Sequence, residues 1–141
     1  MTNQDVAANK AAVRRYLDEA WNKGNLGIID ELMAPGYVRY TPAGQLDREG
    51  QKQRIAGFRQ ALPDLHAEVD RILAEDDQVA FRIMMRGAHQ GPLLGVAPTG
   101  KAVKITATDI VRMENGRVVE HWGNMDELGL LRQLGALPAR G

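Results

Sequence analysis

Residues 103–126 read VKITATDIVRMENGRVVEHWGNMD, and this stretch decides the fold. The Asn115-Gly116 pair separates two runs in which apolar and polar residues alternate. That combination is the strongest short-range signal for a β-hairpin. We therefore predict one strand over residues 103–113 and a second over residues 117–123, joined by a tight turn.

One acidic side chain interrupts the apolar face of the first strand. Asp109 occupies a position in the alternation where the neighbouring positions on the same face are apolar, and in the second strand Val119 shares its face with His121. Burial shifts the pKa of a carboxyl or imidazole group, so such groups among apolar neighbours are candidates for acid/base catalysis. We predict that Asp109 and His121 form a catalytic pair.

The contact between these two side chains depends on the register of the hairpin. In a two-residue loop, Asp109 lies opposite Trp122 and His121 points to the other face. In a three-residue loop closed by a left-handed glycine, Asp109 lies opposite His121 and Val111 lies opposite Val119. The second register pairs apolar residues with each other, and a slip of one residue would invert every side chain. We therefore predict the three-residue loop.

Length and composition limit the kind of protein. The chain has 141 residues, which predicts a single domain over residues 1–141. Lysine plus arginine (18) equals aspartate plus glutamate (18), and no basic cluster accompanies exposed aromatic residues, so we expect no nucleic-acid partner. The absence of cysteine excludes disulfides, thiolate metal sites and a cysteine nucleophile, and it fits a cytoplasmic protein.

Other segments and sites are also expected to be absent. Residues 1–5 contain no basic segment leading into an apolar run, so we expect no signal peptide. No apolar stretch approaches the length of a membrane span, so we expect no membrane partner. The histidines at positions 66, 89 and 121 lack a metal-binding spacing, so we expect no metal site.

The order of elements predicts the α+β class, with most helices preceding most strands. A first helix capped by Asn3 or Asp5 should end near Lys23 and bury one apolar face in the concavity of the sheet, with Val13, Leu17 and Trp21 on that face. Further helices are predicted over residues 26–33, 47–62 and 126–134. Further strands are predicted over residues 37–40, 66–74 and 78–88.

Several short motifs resemble those of a known family. They are LPDLH at residues 62–66, GAHQG at 87–91, GVAPTGK at 95–101, the hairpin at 114–123 and LRQLG at 131–135. In order and spacing they resemble the SnoaL-like polyketide cyclases of the nuclear transport factor 2-like superfamily. The resemblance implies a cone-shaped curved antiparallel sheet, almost an α+β barrel, that wraps around the N-terminal helices and opens into a pocket. It also implies homo-oligomers that bury the outer face of the sheet, and no cofactor.

The resemblance implies ring closure by intramolecular aldol condensation. The resembled cyclase has histidines at the positions of Asp109 and His121, and its principal acid/base aspartate lies where this chain has Gly123. Asp109 would therefore have to replace that aspartate from across the hairpin. We expect a cofactor-independent acid/base enzyme of the cyclase, isomerase or lyase type, acting on a small hydrophobic carbonyl compound such as a polyketide.

Six further residues are candidates for ligand contact, and most of them have a structural alternative. His89 could belong to a loop, Tyr40 to the pocket mouth or to the strand alone, and Met85 to a pliable pocket or to a core gap. His121 itself could be a core histidine that fixes the register. The candidates for substrate binding are His89, Tyr40, Trp21, Phe58, Met85 and Val119.

Two other functions remain open at this point. An epoxide hydrolase of the same fold would need a second acid near the first, and only Asp109 is evident. A non-catalytic binding module is favoured by the missing acid at Gly123. In the predicted register Glu120 and Trp122 face outward, and an exposed aromatic residue there favours a homodimer through the outer face of the sheet.

Overall fold

The computed structural model describes residues 4–137. The first three residues, which include the candidate helix cap Asn3 and part of the segment expected to lack a signal peptide, lie outside the described residues. The helices are α1 (Gln4–Tyr16), α2 (Ile28–Leu32), α3 (Arg48–Ala61) and α4 (Glu127–Gln133), and a π-helical segment, Leu17–Asn22, continues α1. The strands are β1 (Met33–Thr41), β2 (Gly44–Leu46), β3 (His66–Glu75), β4 (Gln78–Ala88), β5 (Ala102–Glu114) and β6 (Arg117–Met125).

These elements form one curved, open, six-stranded sheet in the order β2-β1-β6-β5-β4-β3, with the N-terminal helices packed against it. The α+β class is confirmed. The expectation of a wholly antiparallel sheet is wrong in one place, because β1 runs parallel to β6. The sheet is also not a closed barrel, since β2 and β3 are its edges. Because β1 pairs with β6, the first strand of the chain lies beside the predicted hairpin.

The hairpin adopts neither of the two registers considered from the sequence. Glu114 pairs with Arg117, so the loop has two residues, and Asn115 and Gly116 both have positive φ (52° and 78°). The prediction of a three-residue loop is therefore wrong. A bulge then leaves Val119 unpaired, because Met113 pairs with Val118 while the preceding residue of β5 pairs with Glu120 of β6. A bulge shifts the register by one residue and so exchanges the faces of the side chains that follow.

The bulge has the effect that the three-residue loop was predicted to have. Val111 pairs with His121, and Asp109 pairs with Gly123, so the predicted pairs Val111–Val119 and Asp109–His121 are both wrong. Asp109 and His121 nevertheless share the inner face, one pair apart along the strands. That diagonal distance is within reach of long side chains.

The concave face of the sheet carries the core. The first helix and its π-helical continuation pack against β3 and β4 and bury Val13, Leu17 and Trp21, which confirms the predicted packing. Asp47 and Asp126 cap α3 and α4 by accepting hydrogen bonds from the N–H groups of Gly50 (2.8 Å) and Gly129 (2.9 Å). Asp126 is thus a helix cap.

Within residues 4–137, no helix combines the length and the apolar character that crossing a membrane requires.

Candidate active site

A small cavity opens on the concave face between the sheet and the helical layer. Its volume is about 10 Å³, which is roughly the room that one water molecule needs. Larger depressions lie on the surface; the one of about 610 Å³ beside the β3–β4 turn is lined by no buried ionisable residue in the part of the chain that the structure describes. The cavity is lined by Trp21, Arg39, Arg54, Ile83, Met85, Ala107, Asp109 and Met125.

Asp109 and His121 are in direct contact beside this cavity. The Nε2 atom of His121 lies 2.7 Å from Oδ2 of Asp109. His121 is completely buried, and Asp109 is 6% exposed. The predicted contact between the two side chains is confirmed, although only Asp109 lines the cavity and His121 lies behind it.

A tyrosine holds the far side of the imidazole. The hydroxyl of Tyr37, in β1, lies 2.8 Å from Nδ1 of His121. Both ring nitrogens are therefore engaged, and the imidazole has a fixed orientation. Tyr37 reaches this position because β1 pairs in parallel with β6, which sets Tyr37 and Arg39 on the inner face.

Arg39 completes the group from the same strand. Its Nη1 atom lies 3.3 Å from Oδ2 of Asp109 and 2.7 Å from Nε2 of His121. A guanidinium can only donate and an ionised carboxylate can only accept, so Nε2 cannot satisfy both neighbours. We assign the proton to Nε2, where it is donated to Asp109. The Tyr37 hydroxyl then donates to Nδ1, and Arg39 forms an ion pair with Asp109.

The pKa values of the pair support this assignment. Burial is the largest single influence on Asp109 and by itself would raise its pKa, but the hydrogen bond and charge of His121, together with Arg39, lower the pKa below its ordinary value. Burial also lowers the pKa of His121, and Arg39 and Arg54 lower it further, against the opposing effect of Asp109. The lowered pKa leaves the imidazole neutral near pH 7. The pair is an ionised carboxylate beside a neutral histidine.

Gly123 stands where the resembled cyclases carry an aspartate, and the structure leaves no room for a side chain there. A Cβ atom built on Gly123 would lie 2.5 Å from Nη2 of Arg39 and 2.6 Å from Oδ1 of Asp109. Both contacts are shorter than folded proteins tolerate. The side-chain space at position 123 is thus filled by the Arg39–Asp109 pair.

A second arginine lines the cavity. Arg54, in α3, places its guanidinium 5.2 Å from the ring centre of Phe58 and 5.8 Å from that of Trp21. These are cation–π distances. Within the part of the chain that the structure describes, no three histidine, cysteine, aspartate or glutamate side chains gather in a way that could hold a metal ion.

The six predicted ligand-contact residues fall into three groups. Trp21 and Met85 line the cavity. Phe58 packs against Trp21, with ring centres 5.6 Å apart, and is buried in the core. His89 is fully buried rather than at a rim; its Nδ1 atom accepts a hydrogen bond from the Thr99 N–H (3.1 Å), so it holds the loop between β4 and β5.

Tyr40 and Val119 face away from the cavity. The hydroxyl of Tyr40 donates to Glu120 (2.8 Å), and its ring stacks on that of Trp122 with centres 5.5 Å apart. Val119 borders a surface depression near Pro35, because the bulge turns it outward. Their assignment to the pocket is wrong, whereas the predicted outward orientation of Glu120 and Trp122 is confirmed.

Sequence reasoning missed Tyr37, Arg39 and Arg54. The stretch Tyr37-Val38-Arg39-Tyr40 offered one tyrosine to each face, and the arginine was the only signal that distinguished them. A charged residue is usually solvated, so the position of Arg39 by itself favoured Tyr40 as the inward-facing tyrosine. A carboxylate among apolar residues needs a positively charged partner. Arg39, in a short predicted strand, was a candidate for that partner.

Comparisons with known proteins agree with this architecture. The family model described as SnoaL-like polyketide cyclase matches residues 11–134. The aklanonic acid methyl ester cyclase AcmA of Streptomyces galilaeus is 26% identical over 130 residues, which cover 89% of each chain. The solved structure of AclR, a proposed hydroxylase from Streptomyces galilaeus, is 35% identical with a TM-score of 0.87, covering 96% of this chain and 90% of its own.

A second solved structure comes from a protein described as a cyclase. IdmH, a proposed polyketide cyclase from Streptomyces antibioticus, is 34% identical with a TM-score of 0.79, covering 90% of this chain and 98% of its own. The family match spans the whole sheet, every residue of the cavity and all of the helices except the first residues of α1. The chain belongs to the SnoaL-like polyketide cyclase family.

Proposed function

We propose that this protein is a cofactor-independent acid/base enzyme that closes a ring in a polyketide-like carbonyl compound by an intramolecular aldol reaction. The observation that carries the proposal is Asp109, an ionised carboxylate in an otherwise mainly apolar cavity. Both hydrogen bonds to its carboxylate use Oδ2, and no described residue donates a hydrogen bond to Oδ1. Oδ1 is therefore the atom available to a substrate.

The proposed reaction begins with proton transfer from carbon to Asp109. Oδ1 takes the proton from a carbon alpha to a carbonyl group, and the electron pair of the C–H bond forms an enolate. The enolate carbon attacks a second carbonyl of the same molecule, so a C–C bond forms while that C=O becomes an alkoxide. Asp109 then returns its proton to the alkoxide, which leaves substrate and product with the same atoms.

His121 and Arg39 would position the carboxylate during these steps. The N–H of His121 fixes Oδ2, and Tyr37 fixes the tautomer of His121. Arg39 supplies a positive charge beside Asp109 that favours the enolate. Because Asp109 has a lowered pKa, it is a weak base, and the proposal fits best a substrate whose proton is acidified by two flanking carbonyl groups.

The relatives suggest the size and class of the substrate. AcmA is named for aklanonic acid methyl ester, and on that basis we propose an aromatic polyketide for this chain. A cavity of about 10 Å³ does not hold such a molecule. Binding therefore requires the long side chains of Arg54, Met85 and Met125 to change rotamer, as unbranched side chains readily do.

The test is turnover of aklanonic acid methyl ester by purified protein without added cofactor. The expected product has the mass of the substrate and a shorter retention time or altered absorbance. Asp109→Asn should lower the rate by at least about 100-fold, while Asp126→Ala, which affects only the cap of α4, should leave it within about threefold. Full activity in Asp109→Asn would refute the assignment of the base.

A hydroxylase is the second candidate, favoured by the 35% identity to AclR, which is described as a proposed hydroxylase. The same experiment separates the candidates by product mass. With dioxygen and a two-electron reductant added, a product heavier by one oxygen atom indicates hydroxylation. With an epoxide as substrate, a product heavier by one water molecule indicates epoxide hydrolysis. Binding without any product indicates a non-catalytic module.

We also propose a homodimer through the outer face of the sheet. A row of residues paired across five strands faces outward there: Leu73, Ala80, Ile110, Trp122 and Tyr40. Leu73 is 71% exposed, Ile110 40% and Trp122 37%. A continuous exposed apolar row is typical of a protein interface. A cytoplasmic location stays a proposal, supported by the cysteine-free sequence.

A further inference from the structure

Arg54 is the charged side chain of the cavity that lacks an oppositely charged partner. Within residues 4–137, its guanidinium forms no ion pair and no hydrogen bond, whereas Arg39 is paired with Asp109. The Arg54 side chain is only partly exposed and lies over two aromatic rings. An arginine that loses water without gaining a carboxylate is unfavourable unless something else supplies the negative charge.

The charges around the cavity do not balance. Arg39 and Arg54 contribute two positive charges and Asp109 one negative charge, while His121 is neutral, so one positive charge remains. Burial lowers the pKa of Arg54, and the positive charge of Arg39 lowers it further. The charge of a negative group entering the cavity would counteract both effects.

We propose that the cavity binds a planar, mainly apolar molecule that carries a permanent negative charge, such as a carboxylate or an ionised acidic phenol, and that Arg54 holds the charged group. This ligand class would be the substrate class of the enzyme, and in that respect the inference rests on the proposed function. The apolar lining residues Trp21, Ile83, Met85 and Met125 would contact the flat body of the ligand. Arg54 would donate two parallel hydrogen bonds to a carboxylate.

The positions of the two arginines separate their roles. The Nη1 atom of Arg39 lies 3.3 Å from Oδ2 of Asp109, beside the place where the enolate would form. Its positive charge would therefore stabilise the negative charge that develops during the reaction. Arg54 lies instead against the aromatic wall formed by Trp21 and Phe58. Its charge is therefore available to a group that is already ionised in the bound substrate.

The test compares naphthalene-2-carboxylate with methyl naphthalene-2-carboxylate, which differ little in shape but differ in charge. Binding is measured by calorimetry or by NMR titration, and does not depend on turnover. We expect the carboxylate to bind the natural protein at least about tenfold more tightly than the ester. In Arg54→Gln the two affinities should come within about threefold, because only carboxylate binding is lost.

Two further variants make the result specific. Lys52→Gln removes the same charge from the same helix outside the cavity, where Lys52 pairs with Asp30, and should keep the preference of the natural protein. Arg54→Lys keeps the charge and should keep most of the preference, which covers the case in which Arg54→Gln fails to fold. Equal affinity of the natural protein for both probes, or a preference unchanged in Arg54→Gln, would overturn the proposal.

The outcome is distinguishable from failure of the proposed function. Asp109→Asn removes a negative charge from the cavity, so it should bind the carboxylate at least as tightly as the natural protein while losing turnover. A charge preference that depends on Arg54 in a protein without cyclase activity refutes the proposed function and supports this inference. Cyclase activity without that charge preference supports the proposed function and refutes this inference.

Discussion

The Arg39 guanidinium occupies the side-chain space of Gly123. A Cβ atom there would lie 2.5 Å from Nη2 of Arg39, and Asp109 Oδ1 would be only 2.6 Å away. The resembled cyclases carry their principal acid at this position, and the resemblance alone suggested that this chain had lost a catalytic group. The structure shows that a carboxylate reaches the same place from the neighbouring strand, with an arginine beside it.

Restoring the family's acid should therefore damage the site. We expect Gly123→Asp to lower the free energy of unfolding by roughly 1–3 kcal/mol, as overpacking of a filled core does. It should also lower turnover, because the new side chain displaces Arg39 and Asp109. Denaturant unfolding and the ring-closure assay measure the two effects.

Two variants control this prediction. Gly57→Ala lies in α3 with no atom within 4 Å of the new Cβ, so it should raise the free energy of unfolding by about 0.5–1 kcal/mol. Arg39→Ala combined with Gly123→Asp should be less unstable than the sum of the single changes, since removing one guanidinium makes room for the carboxylate. Additive losses would show that the two side chains do not compete for space.

The neutral state of His121 predicts how stability depends on pH. Its folded pKa lies below the ordinary value of 6.5, mainly because it is buried. Below about pH 6.5 the unfolded chain therefore binds a proton that the folded chain does not bind, and the free energy of unfolding falls as the pH falls. Asp109 also has a lowered pKa, so its ion pair adds a second loss only below its ordinary value of 3.8.

Replacing the imidazole isolates the contribution of His121 to the pH dependence of the free energy of unfolding. In His121→Gln the free energy of unfolding should change less steeply between pH 5 and 7 than in the natural protein. Nitrogen chemical shifts of His121 should report a neutral ring protonated on Nε2 over the same range. A titrating imidazole with its midpoint near pH 7 would contradict the assigned proton position.

The sequence contained enough information for the fold class and for the contact between Asp109 and His121, but not for the details of the hairpin. Asn115-Gly116 correctly marked the turn. The bulge at Val119 was not foreseeable from alternation, because an extra residue between Val118 and Glu120 leaves the apolar pattern of each half intact. The wrong loop length and the unforeseen bulge offset each other, so Asp109 and His121 still lie on the same face of the sheet.

The residues around the pair were harder to predict for a different reason. Tyr37 and Arg39 face inward because β1 pairs in parallel with β6, a pairing between segments about 80 positions apart. Local periodicity carries no information about such a partner. Tyr40 was chosen instead, and its hydroxyl is occupied by Glu120 on the outer face.

Trp21 should contribute to stability both by packing and by a hydrogen bond. Its ring is buried against Phe58, and its Nε1 atom donates to the Tyr16 hydroxyl at 2.9 Å. We expect Trp21→Ala to lower the free energy of unfolding by roughly 3–5 kcal/mol. Trp21→Phe, which keeps an aromatic ring but loses the donor, should cost about 1–2 kcal/mol. Equal losses in the two variants would show that the hydrogen bond, not the packing, dominates.

Trp122 should decide the oligomeric state. Its ring stacks on that of Tyr40, and the residue pairs across the sheet with Ile110, which is the middle of the exposed outer row. We expect light scattering of the natural protein to give about twice the chain mass of 15.5 kDa at micromolar concentration. Trp122→Lys should give the mass of one chain, because it places two like charges face to face across a symmetric interface. Leu128→Lys, a comparable change on exposed α4, should stay dimeric. A natural protein that is monomeric, or a Trp122→Lys variant that still dimerises, would exclude this face as the interface.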